Sequence, residues 1–458
     1  MENSRPAQID YTKYGFFIQA ADYVDTDVFL RERKNLWPNV WQAACREEEI
    51  PKPGDYVRYD IQDEPLVIVR LPSGEVTAYY NVCKHRGRLL VDEQRGNVLD
   101  GMACKFHGWR WGVDGVLNRV THEQDWRGCS ALSDGQLDLS RPRIEFWGGW
   151  VWVNLNPQAE PLAEFLGPVL QIFKNFDLHE MRYAWYETVI SPVNWKVFVE
   201  AFNEGYHVGE THAGGVDHGA LRTSVKALGL HSRFNENLIR DRITAEDGEE
   251  AAVVKVRDES GQLVIAPGQA EVAYQMGKQL HDMLHALCSD AKLRALDRVR
   301  KEMPDDAPVS AVSSRTLALW REEVEASGAR WPDALTQEDL QNAGVNFHIF
   351  PNLIMLPTYD STLVFRMRPH PDDDGKCIMD VGCLERFAPG KEPVITPLVT
   401  EGFDAFRGRN PFLDQDLSNM TGVQKGMKSR SFKGAFLNPV QECQINHFHR
   451  ILHTYIDE

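Results

Sequence analysis

Cys83-Lys84-His85-Arg86-Gly87 and, further on, Cys104-Lys105-Phe106-His107-Gly108-Trp109 carry the strongest chemical signal in the chain. Each stretch offers one thiol and one imidazole close together. Gly87, Gly101 and Gly108 permit tight turns near a bound ion. Two loops that each give one Cys and one His suit a [2Fe–2S] cluster in which two thiolates hold one iron and two neutral imidazoles hold the other. The rival is structural zinc. Common Cys2His2 zinc sites put both cysteines on one knuckle and both histidines on another, whereas here each pair is mixed. Trp109 and Trp111 would shield such a group or simply pack a β core.

Outward from these loops, the texture from Trp41 to Asn154 is β. Tyr56–Tyr59, Leu66–Leu71, Val76–Val82 and Gly149–Asn154 are β-rich and separated by Gly, Pro and Asp turns. Pro157 and Pro161 close the region, which predicts a boundary near residue 158. Residues 1–37 are polar with aromatic anchors at Tyr11, Tyr14, Phe16 and Phe17, a segment expected to pack on the domain that begins at residue 159. The expected division is therefore 1–37, 38–158 and 159–458. In the last part the patterning predicts a helix over Leu162–Phe173, a strand over Trp185–Ser191 and a helix over Asn194–His207, with Trp195, Phe198, Phe202 and Tyr206 at helical spacing. Residues 245–342 hold amphipathic helices, Ala270–Glu302 and Ser313–Ala326 among them. Strands follow at Asn346–Phe350, Leu353–Pro357, Ser361–Pro369 and Ile378–Glu385, then helices at Val394–Arg407, Asp414–Gly426 and Cys443–Thr454. The economical fold for that order is α+β, an antiparallel sheet flanked by helices.

The chain has 458 residues, 50 basic against 67 acidic, for a formal charge of −17. That balance argues against nucleic acid or an anionic membrane as partner, and a basic docking protein fits better. Apolar residues at 43% support a large core, and no apolar run is long enough to span a membrane. Met1-Glu2-Asn3-Ser4 shows neither a basic nor an apolar leader region, so no signal peptide is expected. Eight cysteines are too few for a disulfide scaffold, and a cytoplasmic location is expected.

A second group of chemistry-bearing residues runs from Asn194-Trp195-Lys196 through Glu200 and Glu204 to Tyr206-His207, Gly209 and His212. The two histidines are five apart, about 140° around an ideal helix. Gly209 would have to end or distort the helix to bring them together. Two neutral imidazoles and one carboxylate make the facial triad of non-haem Fe(II) sites, with positions open for dioxygen. Asp416, on one helix face with Met420 and Gln424, is the choice for the carboxylate, with Asp414 and Asp404 as alternatives. Each of the three would otherwise be an aspartate in solvent at a helix start. Glu204, three before His207, suits a carboxylate that orients a ligand histidine, and Glu200 is the weaker choice. His218 lies farther past the break. His281 and His285 (followed by Cys288), and His447, His449 and His453, are expected on solvated helix faces. Phe202, Phe347, His348 and Met420 are expected pocket walls or core residues. No Walker loop and no G-x-G-x-x-G is present, so no nucleotide site is expected.

Taken together, C-x-H-R-G at Cys83–Gly87, C-x-x-H-G-W at Cys104–Trp109, N-W-K at Asn194–Lys196, E-x-Y-H-x-x-x-x-H at Glu204–His212 and D-x7-Q at Asp416–Gln424 resemble the catalytic α subunits of Rieske non-haem iron oxygenases, the aromatic-ring-hydroxylating family. The resemblance spans essentially the chain. It implies an N-terminal all-β Rieske [2Fe–2S] domain and a helix-grip catalytic domain with a large antiparallel sheet. It implies one cluster on Cys83, His85, Cys104 and His107, and one mononuclear Fe(II) on His207, His212 and Asp416. It further implies a head-to-tail trimer, α3 or α3β3, in which His107 of one chain faces the iron of its neighbour through an acid that touches His207. Glu204 stands at that position; most ring-dihydroxylating relatives carry Asp there, and some relatives, amine monooxygenases included, use a longer bridge. The implied function is that of a terminal oxygenase in aromatic hydrocarbon catabolism. Electrons from NAD(P)H arrive through a separate reductase, with or without a ferredoxin, and O2 hydroxylates an aromatic or related hydrophobic substrate. The alternative is O- or N-demethylation or attack on a non-aromatic amine. Residues 245–342 form a longer insertion than the family leads one to expect, as a lid or a trimer contact. Two readings of other classes are a Rieske electron carrier without a mononuclear site and a zinc-stabilised binding protein.

Overall fold

The computed structural model of the protein describes residues 15–132, 134–212, 221–238, 255–257, 263–265 and 268–457. Tyr11, Tyr14 and His218 lie outside the described residues.

Glu64–Arg70 shows how the N-terminal β region is organised. Its side chains alternate, as a strand's must. Leu66 and Ile68 enter a core shared with the C-terminal half, while Val67 and Val69 face a separate core that contains Cys83, Cys104, Tyr79, Trp109 and Trp111. This strand lies in a four-stranded sheet with Val76–Tyr80, Asp55–Ile61 and Arg95–Asn97. A three-stranded sheet of Met102–Ala103, Arg110–Trp111 and Leu117–Arg119 carries the second Cys/His loop. Another, of Arg143–Trp147, Trp150–Asn154 and Gln42–Arg46, closes the region.

The C-terminal half is built on an eight-stranded sheet. Its spatial order is Leu221–Leu228, His231–Leu238, Asn346–Ile349, Leu353–Pro357, Ser361–Pro369, Cys377–Glu385, Arg182–Ser191 and Leu398–Glu401. Every pairing is antiparallel except the last, where Leu398–Glu401 runs parallel to Arg182–Ser191. Helices Gln269–Met283, Asp290–Glu302, Val309–Ala326 and Gln337–Ala343 enter between the second and third of these strands. Arginines tie the sheet to the β region in both directions. Arg46 donates to the carbonyls of Leu178 and Met181, and Arg366 donates to those of Ala43 and Ala44. Among the described residues no helix is long and apolar enough to cross a membrane.

The N-terminal segment is held at several points. Phe17–Gln19 pairs with Gly434–Phe436, and Trp37 packs edge-on against Trp195. Glu32 is fully buried, accepting hydrogen bonds from Trp195 Nε1 at 2.8 Å and from the equally buried Lys196.

Several expected elements differ. Leu162–Phe173 is two helices, Leu162–Leu166 and Pro168–Ile172, because Gly167 sits at φ +48° and Pro168 starts the second. Val394–Arg407 is not a helix. Pro397 interrupts it, and Leu398–Glu401, with Val399 and Thr400, is taken up as an edge strand, leaving only Phe403–Phe406 helical. Ala270–Glu302, a stretch whose length already allowed a break, divides around Leu284 and His285–Leu287. The helix expected over Asn194–His207 runs only from Trp195 to Ala201.

Candidate metal centres

The two Cys/His loops are the same turn made twice. In the first, Cys83 N–H donates to Arg88 O at 2.8 Å and Gly87 N–H donates to Cys83 O at 2.9 Å. In the second, Cys104 N–H donates to Trp109 O at 2.8 Å and Gly108 N–H donates to Cys104 O at 3.0 Å. Gly87 and Gly108 have φ of +77° and +75°, which a side chain would strain. Backbone N–H groups of His85 and Arg86 point to the Cys83 thiol, and those of Phe106 and His107 to the Cys104 thiol; burial still raises the pKa of Cys83, whereas at Cys104 burial is outweighed by the N–H groups and the Cys83 thiol, which lower it.

Like donors meet like. The two thiols contact each other, and the His85 and His107 rings lie 4.6 Å apart. Two sulfurs on one side and two nitrogens on the other is the division that two differently ligated irons require. Nδ1 of both histidines is buried without a hydrogen-bond partner. Leaving such a nitrogen unpaired costs roughly 1–3 kcal/mol, which ligation removes. Trp109 stacks on His85 at 4.8 Å, whereas Trp111 packs in the core and donates to Leu137 O. Phe106 is exposed beside His107.

The second set is assembled where the helix Trp195–Ala201 stops. Asn194 caps its start, accepting from Lys196 N–H at 2.9 Å. Beyond Phe202, Asn203 turns into the core, where Gln444 donates to its side-chain oxygen. Glu204 then captures backbone groups that a continuing helix would use: its Oε2 accepts from the N–H groups of Tyr206 and His207. The break therefore precedes Gly209, which lies inside the short helix Val208–Thr211. This break brings His207 and His212 together, with ring centroids 5.4 Å apart.

Asp416 projects between them from the helix Pro411–Met427. Its Oδ1 lies 3.1 Å from His212 Nε2 and 3.5 Å from His207 Nε2. Despite those distances, His212 Nε2 and Asp416 Oδ2 are buried without a hydrogen-bond partner, so the groups converge on a shared point. The outer nitrogens are both held: His207 Nδ1 is 2.5 Å from Glu204 Oε1, and His212 Nδ1 is 2.7 Å from Gln415 Oε1. Burial works against charge on His207, but Asp416 and Glu204 outweigh it and lift its pKa to about 10. The pocket therefore attracts positive charge, as a cation site must. Two imidazoles and one carboxylate converging in this way match the donor set of a facial triad.

Asp404 is 94% exposed and pairs with Arg407, while Asp414 accepts from Gly408 N–H, so neither alternative joins the site. Glu200 does not touch His207; it binds Tyr23 and His449. Phe347 and His348 are core residues, His348 bonding to Pro351 O, and Phe202 stacks on Phe365.

Residues 176–458 match the family model for the ring hydroxylating alpha subunit (catalytic domain), and residues 40–129 match the Rieske [2Fe-2S] domain. The chain belongs to the ring-hydroxylating α-subunit family. Members of this family carry a Rieske [2Fe–2S] cluster and a mononuclear iron, and both donor sets described above fit these groups. The chain is 35% identical over 197 residues to the large oxygenase component of the 2,4-dinitrotoluene dioxygenase system of Burkholderia sp. (strain RASC), a match covering 42% of this chain and 43% of the relative. It is 29% identical over 201 residues to the carnitine monooxygenase oxygenase subunit of Escherichia coli (strain K12), covering 43% and 52%. The chain thus spans about half the length of the curated relatives it matches. Naphthalene 1,2-dioxygenase from Rhodococcus sp. shares the fold at TM-score 0.62 and 17% identity, covering 97% of this chain and 95% of that one. A quaternary ammonium Rieske monooxygenase shares it at TM-score 0.60 and 16% identity, covering 99% of each.

Two residues of the site, Gln415 and Phe412, lie outside the sequence expectation. Gln415 holds His212 from the position next to Asp416. Phe412 stacks on the His212 ring at 3.8 Å. Gln424 accepts from Asn194 N–H at 2.7 Å and so ties the helix that carries Asp416 to the start of the helix Trp195–Ala201. The spacing of Gln424 from Asp416 was visible in the sequence, but its partner was not.

Proposed function

We propose that this protein is the terminal oxygenase component of a multicomponent system, with Cys83, His85, Cys104 and His107 holding the cluster and His207, His212 and Asp416 holding Fe(II). The observation that carries this is the convergence of His207, His212 and Asp416 within 4.8 Å, with both outer histidine nitrogens held by side-chain oxygens. Bound there, the iron supplies dioxygen activation and the cluster supplies electrons singly. The chain's own residues orient and insulate. Glu204 and Gln415 hold the Nδ1 protons, so that each ring offers Nε2. Phe412 fixes the His212 plane, and Trp109 covers His85. Glu204 is also proposed as the contact between His207 and a neighbouring chain's His107 in a trimer, fed by an NAD(P)H-dependent reductase.

An aromatic or related hydrophobic compound is the proposed substrate class, consistent with the dinitrotoluene dioxygenase component among the relatives. Demethylation or oxidation of an amine is the second reading, favoured by Glu204 at the bridging position and by the carnitine monooxygenase relative. The test is a substrate panel with iron- and sulfide-replete protein, a reconstituted reductase and labelled dioxygen. Two labelled oxygens in the product support ring dihydroxylation, and one supports the second reading. Protein without acid-labile sulfide, or without substrate-coupled oxygen uptake, would sink both.

A further inference from the structure

Of the histidines of the C-terminal helix, expected on a solvated face, His449 turns inward and His453 is half-buried. Helix Cys443–Ile456 places His449 and His453 one turn apart, opposite Asp22 of the helix Ala21–Val24. One nitrogen of each histidine and one Asp22 oxygen lie within 4.8 Å of one another, with His453 Nε2 at 3.2 Å from Asp22 Oδ1. Both rings have a carboxylate on one nitrogen. His449 Nε2 is 2.6 Å from Glu200 Oε1, and His453 Nδ1 is 3.0 Å from Asp457 Oδ2. Glu200 is held in turn by the Tyr23 hydroxyl at 3.1 Å. This is the arrangement that fixes the tautomer of a metal-ligating histidine.

What remains unsatisfied is His449 Nδ1, buried and without a hydrogen-bond partner on a side chain 2% exposed. Three carboxylates (Asp22, Glu200 and Asp457) surround the two imidazoles. Arg31 pairs with Asp457, and Lys196 is the other cation near Asp22. Two imidazoles and a carboxylate suit Zn²⁺ or its transition-metal neighbours rather than Mg²⁺ or Ca²⁺. His453, 34% exposed, provides the way in.

We propose that Asp22, His449 and His453 form a second divalent-cation site, of the Zn²⁺ class, that fastens the N-terminal segment to the C-terminal helix. Its ligands are distinct from His207, His212 and Asp416. Three protein donors leave one position for water.

Iron- and sulfide-replete protein is equilibrated with Zn²⁺, freed of unbound metal by gel filtration and assayed for zinc and iron together. The expected result is about one zinc per chain bound at this site with iron content unchanged, and a Tm raised by several degrees. His453→Gln and Asp22→Asn lose that zinc and the Tm rise but keep their iron. His281→Gln, which disrupts the more exposed His281–His285–Asp290 group, keeps the Tm rise. No zinc uptake by the unaltered protein overturns the proposal, as does uptake matched by loss of iron. Zinc retained in full by both His453→Gln and Asp22→Asn overturns it too. If one of the two variants does not fold, the other decides: zinc retained in full by it overturns the proposal.

Discussion

At the scale of single residues, two side chains separate holding iron from using it. Asp416 is the proposed third ligand, which comes from a helix far along the chain from the break that brings His207 and His212 together. Asp416→Ala should lower iron from about three to about two per chain while leaving acid-labile sulfide and the reduced-cluster EPR signal in place. Glu204 touches His207 but is not in the ligand set. Glu204→Gln should keep both metal centres and cut turnover by about 10–100-fold, measured as substrate-coupled oxygen uptake. Full activity in that variant would remove Glu204 from any bridging role. The chemistry-bearing residues were legible because cysteine, histidine and aspartate are scarce and their local spacing is short. Gln415 and Phe412 were not, since glutamine and phenylalanine have too many ordinary uses to signal a ligand's support.

At the scale of elements, the N-W-K motif acquires a physical meaning. Asn194 caps the helix, while Trp195 and Lys196 both bind Glu32 from the N-terminal segment. Glu32→Ala leaves a charged Lys196 buried without its partner. It should cost about 3–5 kcal/mol in urea unfolding, because breaking a buried pair strands the remaining charge. In the sheet, Asp380 lies opposite Arg366 on the neighbouring strand and also binds Arg368. Burial raises the Asp380 pKa, but the two arginines outweigh it and bring it down to about 2. Its contribution, about 2 kcal/mol, is present above the ordinary aspartate value near 3.8 and is lost as pH falls toward 2. Asp380→Asn should therefore be less stable at neutral pH and show a flatter decline in urea midpoint below about pH 4. The Asn194–His207 expectation overran because periodicity registers apolar spacing. It does not register a carboxylate that takes the helix's own N–H groups.

At the scale of the whole molecule, the proposed trimer makes a testable demand. A Cys104→Ala chain lacks a cluster ligand, and an Asp416→Ala chain lacks an iron ligand. Each should be inactive alone. If each active unit draws on two chains, dissociating and reassembling the two variants together should restore a fraction of turnover in mixed trimers. No recovery, with mixed trimers confirmed by mass, would place both centres in one functional chain. The arginine clamps between the β region and the sheet belong to this scale as well. Arg46 and Arg366 each reach carbonyls of the other region, contacts between residues far apart in the chain that no local pattern announces.

By itself, the amino-acid sequence determined the donor types, the β character around the two Cys/His loops, the α+β order of the C-terminal half and the family. These follow from short-range features: residue chemistry, turn glycines and hydrophobic period. Only the tertiary structure decided which aspartate meets the histidines, where the helix breaks, and that Glu200 serves His449 rather than His207. It also decided that His449, buried, and His453, half-buried, face Asp22. Those outcomes depend on contacts between distant segments, whose free energy is set by packing and by pairing of buried polar groups rather than by any local preference.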